Sequence, residues 1–168
     1  MSNKTLMSVD EYLHTTFDGT DREYLDGEVV ERNMGNKSHG KVQLRLGSVL
    51  QTFEQRTGIF VVVEVRQKVT ATRYRIPDIA VFEREPAEEV PSSPPLVAIE
   101  VLSPDDRIGY IIPKLDEYRR WGVKHVWAVD PDDRKLFTYG EKGLHEVTGL
   151  RLPEYEIALT LADIFGAA

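Results

Sequence analysis

The sequence predicts a mixed α/β fold in which helices pack on a central β-sheet. Two observations lead to this prediction. Helical and strand-like segments alternate along the chain, and the longest strand-like segments are continuous apolar runs such as 60–63. Such runs are typical of strands buried on both faces, and a sheet of these strands needs helices packed against it. Because 168 residues suffice for an ordinary core, we expect one domain over residues 1–168.

The first third of the chain predicts two helices separated by a β-hairpin. Ser8 followed by Glu11 is a capping-box pattern, which starts a short helix. The Asp26-Gly27 pair is the favoured two-residue hairpin turn. The second helix has apolar residues at helical spacing, and Gly58 supplies its stop. The predicted bounds are 8–15 for the first helix, 22–25 and 28–32 for the hairpin strands, and 38–57 for the second helix.

Strands dominate the middle of the chain. Segment 83–95 contains four prolines and is predicted to be a surface loop. Pro113 suits the first turn of a helix that ends at Gly122, although a helix that begins earlier would be kinked at Pro113. The remaining predicted elements are strands 59–65, 69–71, 79–82, 96–102 and 126–129, helices 113–121 and 161–165, and an antiparallel pair at 135–139 and 144–148.

Composition and charge exclude several classes of protein. The chain contains no cysteine, so disulfides and thiolate metal sites are excluded. No apolar run approaches the roughly 18 residues of a membrane span, and no signal-peptide pattern is present, so we expect a cytoplasmic protein without a membrane partner. The formal net charge of −7 argues against a broad electrostatic surface for nucleic acid but leaves room for a local one.

Two apolar runs are each interrupted by one carboxylate, Asp78 in the first and Glu100 in the second. Desolvating a carboxylate costs several kcal/mol, so a buried strand should not carry one without a partner. Either the two carboxylates share a divalent metal, or they lie at strand ends in water or beside arginine. Mg²⁺ is the obvious metal because it prefers oxygen ligands, and the backbone carbonyl of Val101 could add another. A nearby lysine would then offset charge in the transition state of phosphoryl chemistry.

An ordered series of motifs covers most of the chain and resembles one protein family. The motifs are Glu23-Tyr24-Leu25-Asp26-Gly27-Glu28, Ser38-His39, Pro77-Asp78, Ile99-Glu100-Val101-Leu102-Ser103-Pro104, Lys114-Leu115-Asp116-Glu117-Tyr118, Gly122-Val123 and Trp127-Ala128-Val129-Asp130-Pro131. The series resembles the Uma2 family, a branch of the PD-(D/E)xK nuclease superfamily. The resemblance implies a restriction-endonuclease-like fold with Asp78 and Glu100 on adjacent strands. It also implies hydrolysis of DNA phosphodiester bonds with Mg²⁺, for which Mn²⁺ can substitute.

The resemblance implies that Lys114 is the catalytic lysine, although the superfamily pattern has its lysine where this chain has Leu102. Beside Pro113 in a first helical turn, Lys114 would face the positive end of the helix dipole. That position is unfavourable unless an anionic site lies next to it. The alternative is an exposed lysine. The family often carries an acidic residue where this chain has Tyr110, and one aspartate of Asp105-Asp106 could substitute for it.

Glu23 and His39 match further family positions, and the sequence leaves their roles open. Glu23 is either another carboxylate near the metal or an outward-facing strand residue. His39 follows Ser38, which is predicted to cap the second helix. His39 is therefore either a residue of the helix start or a group that reaches the metal site or a phosphate.

Three functions remain compatible with these residues. The first is a Mg²⁺-dependent DNA endonuclease. The second is a catalytically impaired module of the same fold that binds nucleic acid or protein, and the third is a phosphodiesterase for small molecules.

Cutting both strands of a duplex takes two active sites, so we expect a homodimer, most simply with twofold symmetry. Apolar residues near the C-terminus and around Trp121 are buried either in the chain's own core or against a second copy. These residues are Tyr118, Trp121, Leu159, Leu161, Ile164 and Phe165.

Overall fold

The structure, a computed structural model, describes residues 6–106 and 108–167. In these ranges the helices are α1 Val9–His14, α2 Lys37–Gln51, α3 Glu54–Thr57, α4 Ile108–Trp121 and α5 Leu161–Phe165, with a 3₁₀ turn at Pro153–Tyr155. The strands are β1 Glu23–Leu25, β2 Glu28–Val30, β3 Phe60–Val63, β4 Gln67–Thr70, β5 Arg73–Arg75, β6 Ile79–Phe82, β7 Val97–Val101, β8 His125–Asp130, β9 Lys135–Gly140, β10 Gly143–Val147, β11 Gly149–Leu152 and β12 Ile157–Thr160. None of the described helices is long and apolar enough to cross a membrane.

The main sheet has six strands in the order β10-β9-β8-β7-β6-β3. Strands β7 and β8 are parallel, and the crossover that a parallel pair requires contains α4. The other neighbouring strands are antiparallel, and β6 pairs with β7 through Ile79 opposite Ile99. The predicted mixed central sheet is therefore confirmed. The expectation that run 60–63 is buried on both faces is wrong, because β3 is an edge strand and Val63 is 51% exposed.

Alternation along β7 gives the two faces of the main sheet different partners. Val97, Ile99 and Val101 belong to a core cluster that also contains residues of α2 and α5. Ala98 belongs to the opposite cluster, which contains residues of α4. Because side chains two residues apart in a strand share a face, Glu100 also lies on the α4 side of the sheet.

A second sheet has four strands in the order β2-β1-β5-β4. Tyr12 of α1 stacks on Tyr24 with 5.0 Å between ring centroids and packs against Tyr74. The turn between β1 and β2 has positive φ at both residues of the Asp26-Gly27 pair. The hairpin that this pair predicts is therefore confirmed.

The helix caps agree with the sequence in one case and depart from it in another. The capping box of α1 is confirmed, because the Ser8 and Glu11 side chains each accept from the backbone N–H of the other residue. For α2 the predicted cap Ser38 is wrong. The side-chain oxygen of Asn36 instead accepts from the His39 backbone N–H at 2.9 Å. Asparagine caps a helix as well as serine does, so α2 begins two residues earlier than a cap at Ser38 implies.

The single helix predicted over 38–57 is wrong, because α2 and α3 are separate elements. The break is at Thr52, whose hydroxyl donates to the Val49 carbonyl at 2.6 Å. Bonds from hydroxyl groups to nearby backbone compete with the regular helical pattern. Gly58 ends α3 with a φ of 78°, so the predicted stop is confirmed.

Helix α4 begins earlier than predicted. The sequence places Pro113 in its first turn, but α4 starts at Ile108 and contains Pro113 in its interior. Proline lacks an N–H, so the Gly109 carbonyl loses its helical donor. Gly109 is exposed, and water can take the donor's place. Because Lys114 is not at the helix start, the helix-dipole argument for Lys114 is wrong.

Strands β5, β11 and β12 are not predicted from the sequence. Strand β5 reads Arg-Tyr-Arg, which lacks an apolar strand pattern, and β11 and β12 form a short separate hairpin. The bounds of the predicted strands agree with the observed ones within two residues. Segment 83–95 contains no helix or strand, which confirms the predicted loop.

Most of the apolar residues near the C-terminus pack within the chain itself. Tyr118, Leu159 and Ile164 are buried, whereas Leu161 is 38% exposed. Phe165 packs at the edge of the same cluster as Ile164. Core packing, one of the two alternatives that the sequence allows, therefore accounts for most of this apolar area.

Candidate active site

Asp78 and Glu100 lie at the same end of the main sheet. Glu100 is in β7 and Asp78 immediately precedes β6. The register of these strands, continued one residue beyond Ile79, sets the two carboxylates opposite each other. Both residues are about 95% buried, with exposures of 4% and 5%. Together with Lys114 and Val101 they line a cavity of about 40 Å³.

Lys114 reaches this cavity from α4 and holds its ammonium group between two carboxylates. Its Nζ lies 2.9 Å from Glu100 Oε2 and 2.9 Å from Glu23 Oε1. Tyr118, one turn further along α4, donates its hydroxyl hydrogen to Glu100 Oε1 at 2.7 Å. Lys114 is buried, so the alternative of an exposed lysine is wrong.

The pKa values of Glu100 and Lys114 are both raised, but for different reasons. Burial raises the pKa of Glu100 to about 7; the nearby charges of Asp78 and Glu23 add to the rise, and Lys114 opposes it. Burial alone would lower the pKa of Lys114, but Glu100 and Glu23 raise it above its usual value. Lys114 is therefore a cation at neutral pH, whereas Glu100 titrates near neutrality.

Asp78 is held by contacts from three separate parts of the chain. Its Oδ1 accepts from Arg32 Nη2 at 2.8 Å, and its Oδ2 accepts from the Val101 N–H at 2.7 Å. The ring Nε2 of His39 lies 3.4 Å from Oδ2, so this helix-start residue also reaches the site. Burial opposes ionisation, but His39, Lys114 and Arg32 hold the pKa of Asp78 below its usual value. The same contact with Asp78 raises the pKa of His39.

Glu23 faces inward from β1, so the alternative of an outward-facing residue is wrong. Its Oε1 accepts from the Ile76 N–H at 2.9 Å, and its Oε2 accepts from Arg75 Nη1 at 2.8 Å. Although burial works against ionisation, Lys114 and Arg75 lower the pKa of Glu23. A charged Glu23 therefore helps to fix the ammonium group of Lys114 beside Glu100.

Sequence reasoning misses Arg32 and assigns Tyr118 only to packing. Tyr118 has a usable signal, because residues four apart on a helix share a face and Lys114 stands four positions earlier. Arg32 has no local signal, since its contact with Asp78 joins distant parts of the chain.

Of the two aspartates that could stand in for an acidic residue at Tyr110, Asp106 is the one beside the cavity. It lines the cavity together with Tyr110. Its carboxylate accepts from the Ser103 N–H at 2.6 Å and from the Asn33 side chain at 2.5 Å. Asp105 is exposed and does not line the cavity. The contacts of Asp106 join the β7–α4 connection to the segment that precedes α2.

The carboxylate oxygens that line the cavity are suitable ligands for a Mg²⁺ ion. Asp78 Oδ1 and Glu100 Oε2 each accept one hydrogen bond from the described residues, and a carboxylate oxygen can accept two. Within residues 6–106 and 108–167, no three His, Cys, Asp or Glu side chains are grouped to hold a metal alone. Mg²⁺ does not need three, because one or two carboxylates with waters and substrate phosphates commonly complete its shell.

The mixed sheet flanked by helices defines the fold class of this protein as restriction-endonuclease-like. The chain belongs to the Uma2 family, whose model, described as "Putative restriction endonuclease", matches residues 9–164. This match confirms the family resemblance that the sequence motifs indicate.

Among solved structures, the chain is similar to a protein described as "a putative nuclease belonging to DUF820 from Anabaena variabilis ATCC 29413". The two chains are 22% identical and superpose with a TM-score of 0.82, over 95% of this chain and 97% of the other. At this identity the likeness establishes the fold, and it confirms the predicted restriction-endonuclease-like architecture. A comparison with curated proteins finds no match.

Proposed function

We propose that this protein is a Mg²⁺-dependent endonuclease that hydrolyses DNA phosphodiester bonds, with Mn²⁺ able to replace Mg²⁺. One observation carries the proposal: Asp78, Glu100 and Lys114 line a single small cavity at the end of two adjacent strands. Two carboxylates and a cation in that arrangement suit a reaction in which negative charge builds up on a phosphoryl group.

Asp78, Glu100 and the backbone carbonyl of Val101 are the groups that would hold the metal. A divalent ion held there would supply Lewis-acid activation of the phosphodiester and of the attacking water. Lys114 is positioned to donate a hydrogen bond to the phosphate or the water and to offset charge in the transition state. Glu23 keeps Lys114 oriented and protonated for that task.

The size of the cavity favours a polymeric substrate over a small molecule. Pockets that enclose small ligands typically measure roughly 300–1,000 Å³. The cavity of about 40 Å³ admits only roughly three water-sized groups. A phosphodiester presented by a DNA backbone can approach such a site from outside, whereas a small phosphoester would gain little binding area there.

A non-catalytic module that binds nucleic acid is the second candidate, and one observation favours it. Both oxygens of Glu100 already have partners, Tyr118 on Oε1 and Lys114 on Oε2. A metal ion must therefore compete with Lys114 and Tyr118 for the Glu100 carboxylate. If those contacts are too stable to yield, the fold would bind nucleic acid without cutting it.

Cleavage of supercoiled plasmid and single-stranded DNA with Mg²⁺, Mn²⁺ or EDTA tests the proposal. We expect Asp78→Asn, Glu100→Gln and Lys114→Met each to slow cleavage by about 100-fold or more. Glu146→Gln is the matched control, because Glu146 is exposed and lies 3.9 Å from its lysine partner. Undiminished activity in all three site variants would show that the site is wrong.

Two further measurements distinguish the alternative functions. Absence of cleavage, together with absence of metal binding by calorimetry, favours the binding module. Hydrolysis of a small phosphodiester such as bis(p-nitrophenyl) phosphate, without DNA cleavage, favours the small-molecule phosphodiesterase.

We further propose that the protein acts as a homodimer in the cytoplasm, because cutting both strands of a duplex requires two active sites. Twofold dimers are the commonest arrangement for such an assembly. Sedimentation of the purified protein over a wide dilution range tests this proposal. A monomer at every concentration, including micromolar, would contradict the dimer and would restrict the activity to nicking or to single strands.

A further inference from the structure

The side chain of Arg32 is only 10% exposed and uses just one of its two terminal nitrogens as a hydrogen-bond donor. Its Nη2 donates to Asp78 Oδ1 at 2.8 Å. Its Nη1 is shielded from solvent and has no hydrogen-bond acceptor among the described residues. The Glu64 Oε2 atom lies 4.0 Å from Nη1, which is too long for a hydrogen bond. Arg32 therefore keeps an unused charged donor, and it is one of the residues that line the cavity.

A role as the counter-ion of Asp78 does not account for this geometry. Arginine and carboxylate groups frequently pair through two parallel hydrogen bonds, which satisfy both terminal nitrogens. In this site Asp78 Oδ2 instead accepts from the Val101 N–H, so Arg32 makes only one hydrogen bond to Asp78. A buried donor without an acceptor is destabilising and rare in native structures, so its presence here calls for an explanation.

We propose that Arg32 is a substrate-binding residue whose Nη1 donates to a non-bridging oxygen of a DNA backbone phosphate while Nη2 stays on Asp78. This inference rests on the proposed function, which brings the phosphate to the cavity. The planar guanidinium group suits the role, because its donors point in fixed directions and can serve two acceptors at once. Arg32 would thereby fix the phosphate relative to the carboxylate of Asp78.

The surrounding charges are compatible with an incoming phosphate. Lys114 is already shared by Glu23 and Glu100. The Glu64 side chain is 41% exposed, so it can turn into solvent when a phosphate oxygen approaches Nη1. The phosphate would then replace a distant, solvated carboxylate with a direct charge-assisted hydrogen bond.

Salt-dependent DNA binding tests the proposal without requiring cleavage. Affinity for a short fluorescent duplex is measured in EDTA at several NaCl concentrations for the wild type, Arg32→Met and Arg151→Met. Arg151 is the control because it is exposed and lies beside His125, at the end of the main sheet away from the cavity. We expect Arg32→Met to bind about tenfold or more weakly. We also expect its slope of log K against log salt to be shallower by about 0.9.

The result that would overturn the proposal is an Arg32→Met protein that binds DNA as Arg151→Met does. A wild type that binds neither the duplex nor inorganic phosphate by calorimetry would overturn it as well. A second variant, Arg32→Gln, can still donate a hydrogen bond to Asp78 but lacks the positive charge and the second terminal nitrogen. Its DNA affinity is measured in the same way, and thermal unfolding is measured for both Arg32 variants. Arg32→Gln should show the same loss of affinity and slope, so a folding defect in Arg32→Met would not hide the effect. DNA binding that depends on Arg32, without cleavage in Mg²⁺, would support the phosphate contact and contradict only the endonuclease activity.

Discussion

Replacement of Lys114 by methionine is expected to destabilise the protein by about 3–5 kcal/mol, because it removes one partner of a buried ion pair. Lys114 is 6% exposed, and its Nζ lies 2.9 Å from both Glu23 and Glu100. Without the ammonium group, Glu100 would keep the Tyr118 hydroxyl as its partner among the described residues. A domain of this size shifts its Tm by roughly 2–4 °C per kcal/mol, so the Tm should fall by about 6–20 °C.

Urea unfolding followed by circular dichroism measures this loss, with Lys135→Met as the matched control. Lys135 Nζ lies 3.9 Å from Glu146 at the surface, where both side chains are largely exposed, so its removal should cost less than about 1 kcal/mol. Adding Glu100→Gln to Lys114→Met should recover about 1–3 kcal/mol, because Glu100 is the carboxylate that loses its cation, whereas Glu23 keeps Arg75. A loss below about 1 kcal/mol for Lys114→Met would refute the reasoning, as would a double variant that shows no recovery.

Three further predictions concern stability. Tyr118→Phe should lower the free energy of unfolding by about 1.5–3 kcal/mol in urea, since it deletes a buried hydrogen bond to the Glu100 carboxylate; a loss near zero would contradict this. Arg66→Lys should lower the Tm by several degrees in a thermal melt, because lysine cannot reproduce the paired contacts of Arg66 with Asp21; an unchanged Tm would contradict this. Burial opposes ionisation of Glu154, but hydrogen bonds from His125 and Lys124 lower its pKa from 4.5 to about 2. Its contribution is therefore present above pH 4.5 and lost as the pH falls towards 2. The stability difference between the wild type and Glu154→Gln should shrink between pH 6 and pH 2.5, and a constant difference would contradict the assignment.

The parts of the fold that could be predicted are those with local signals. A charge that interrupts an apolar run is visible in the sequence, which is why Asp78 and Glu100 could be singled out. The Asp26-Gly27 turn and the capping box at Ser8 are likewise local patterns with a direct geometric meaning.

The parts that could not be predicted depend on contacts between distant residues. Strand β5 is polar in sequence, and Arg75 becomes tolerable inside the fold only because Glu23 and Glu117 neutralise it. Arg32 and Asp78 are 46 positions apart in the sequence, and no periodic sequence pattern predicts a contact over that separation. Helix α4 continues through Pro113 although the local rule starts a helix there, because tertiary packing outweighs one missing hydrogen bond.

A crystal grown with Mn²⁺ and measured for anomalous scattering tests most directly whether Asp78 and Glu100 form a metal site. The proposed function predicts one strong anomalous peak within coordination distance of both carboxylates and of the Val101 carbonyl. It also predicts that Asp78→Asn crystals grown in the same way lose that peak. Density that shows Lys114 still bridging Glu23 and Glu100 at saturating Mn²⁺, with no peak at the cavity, would contradict the proposed metal-dependent mechanism.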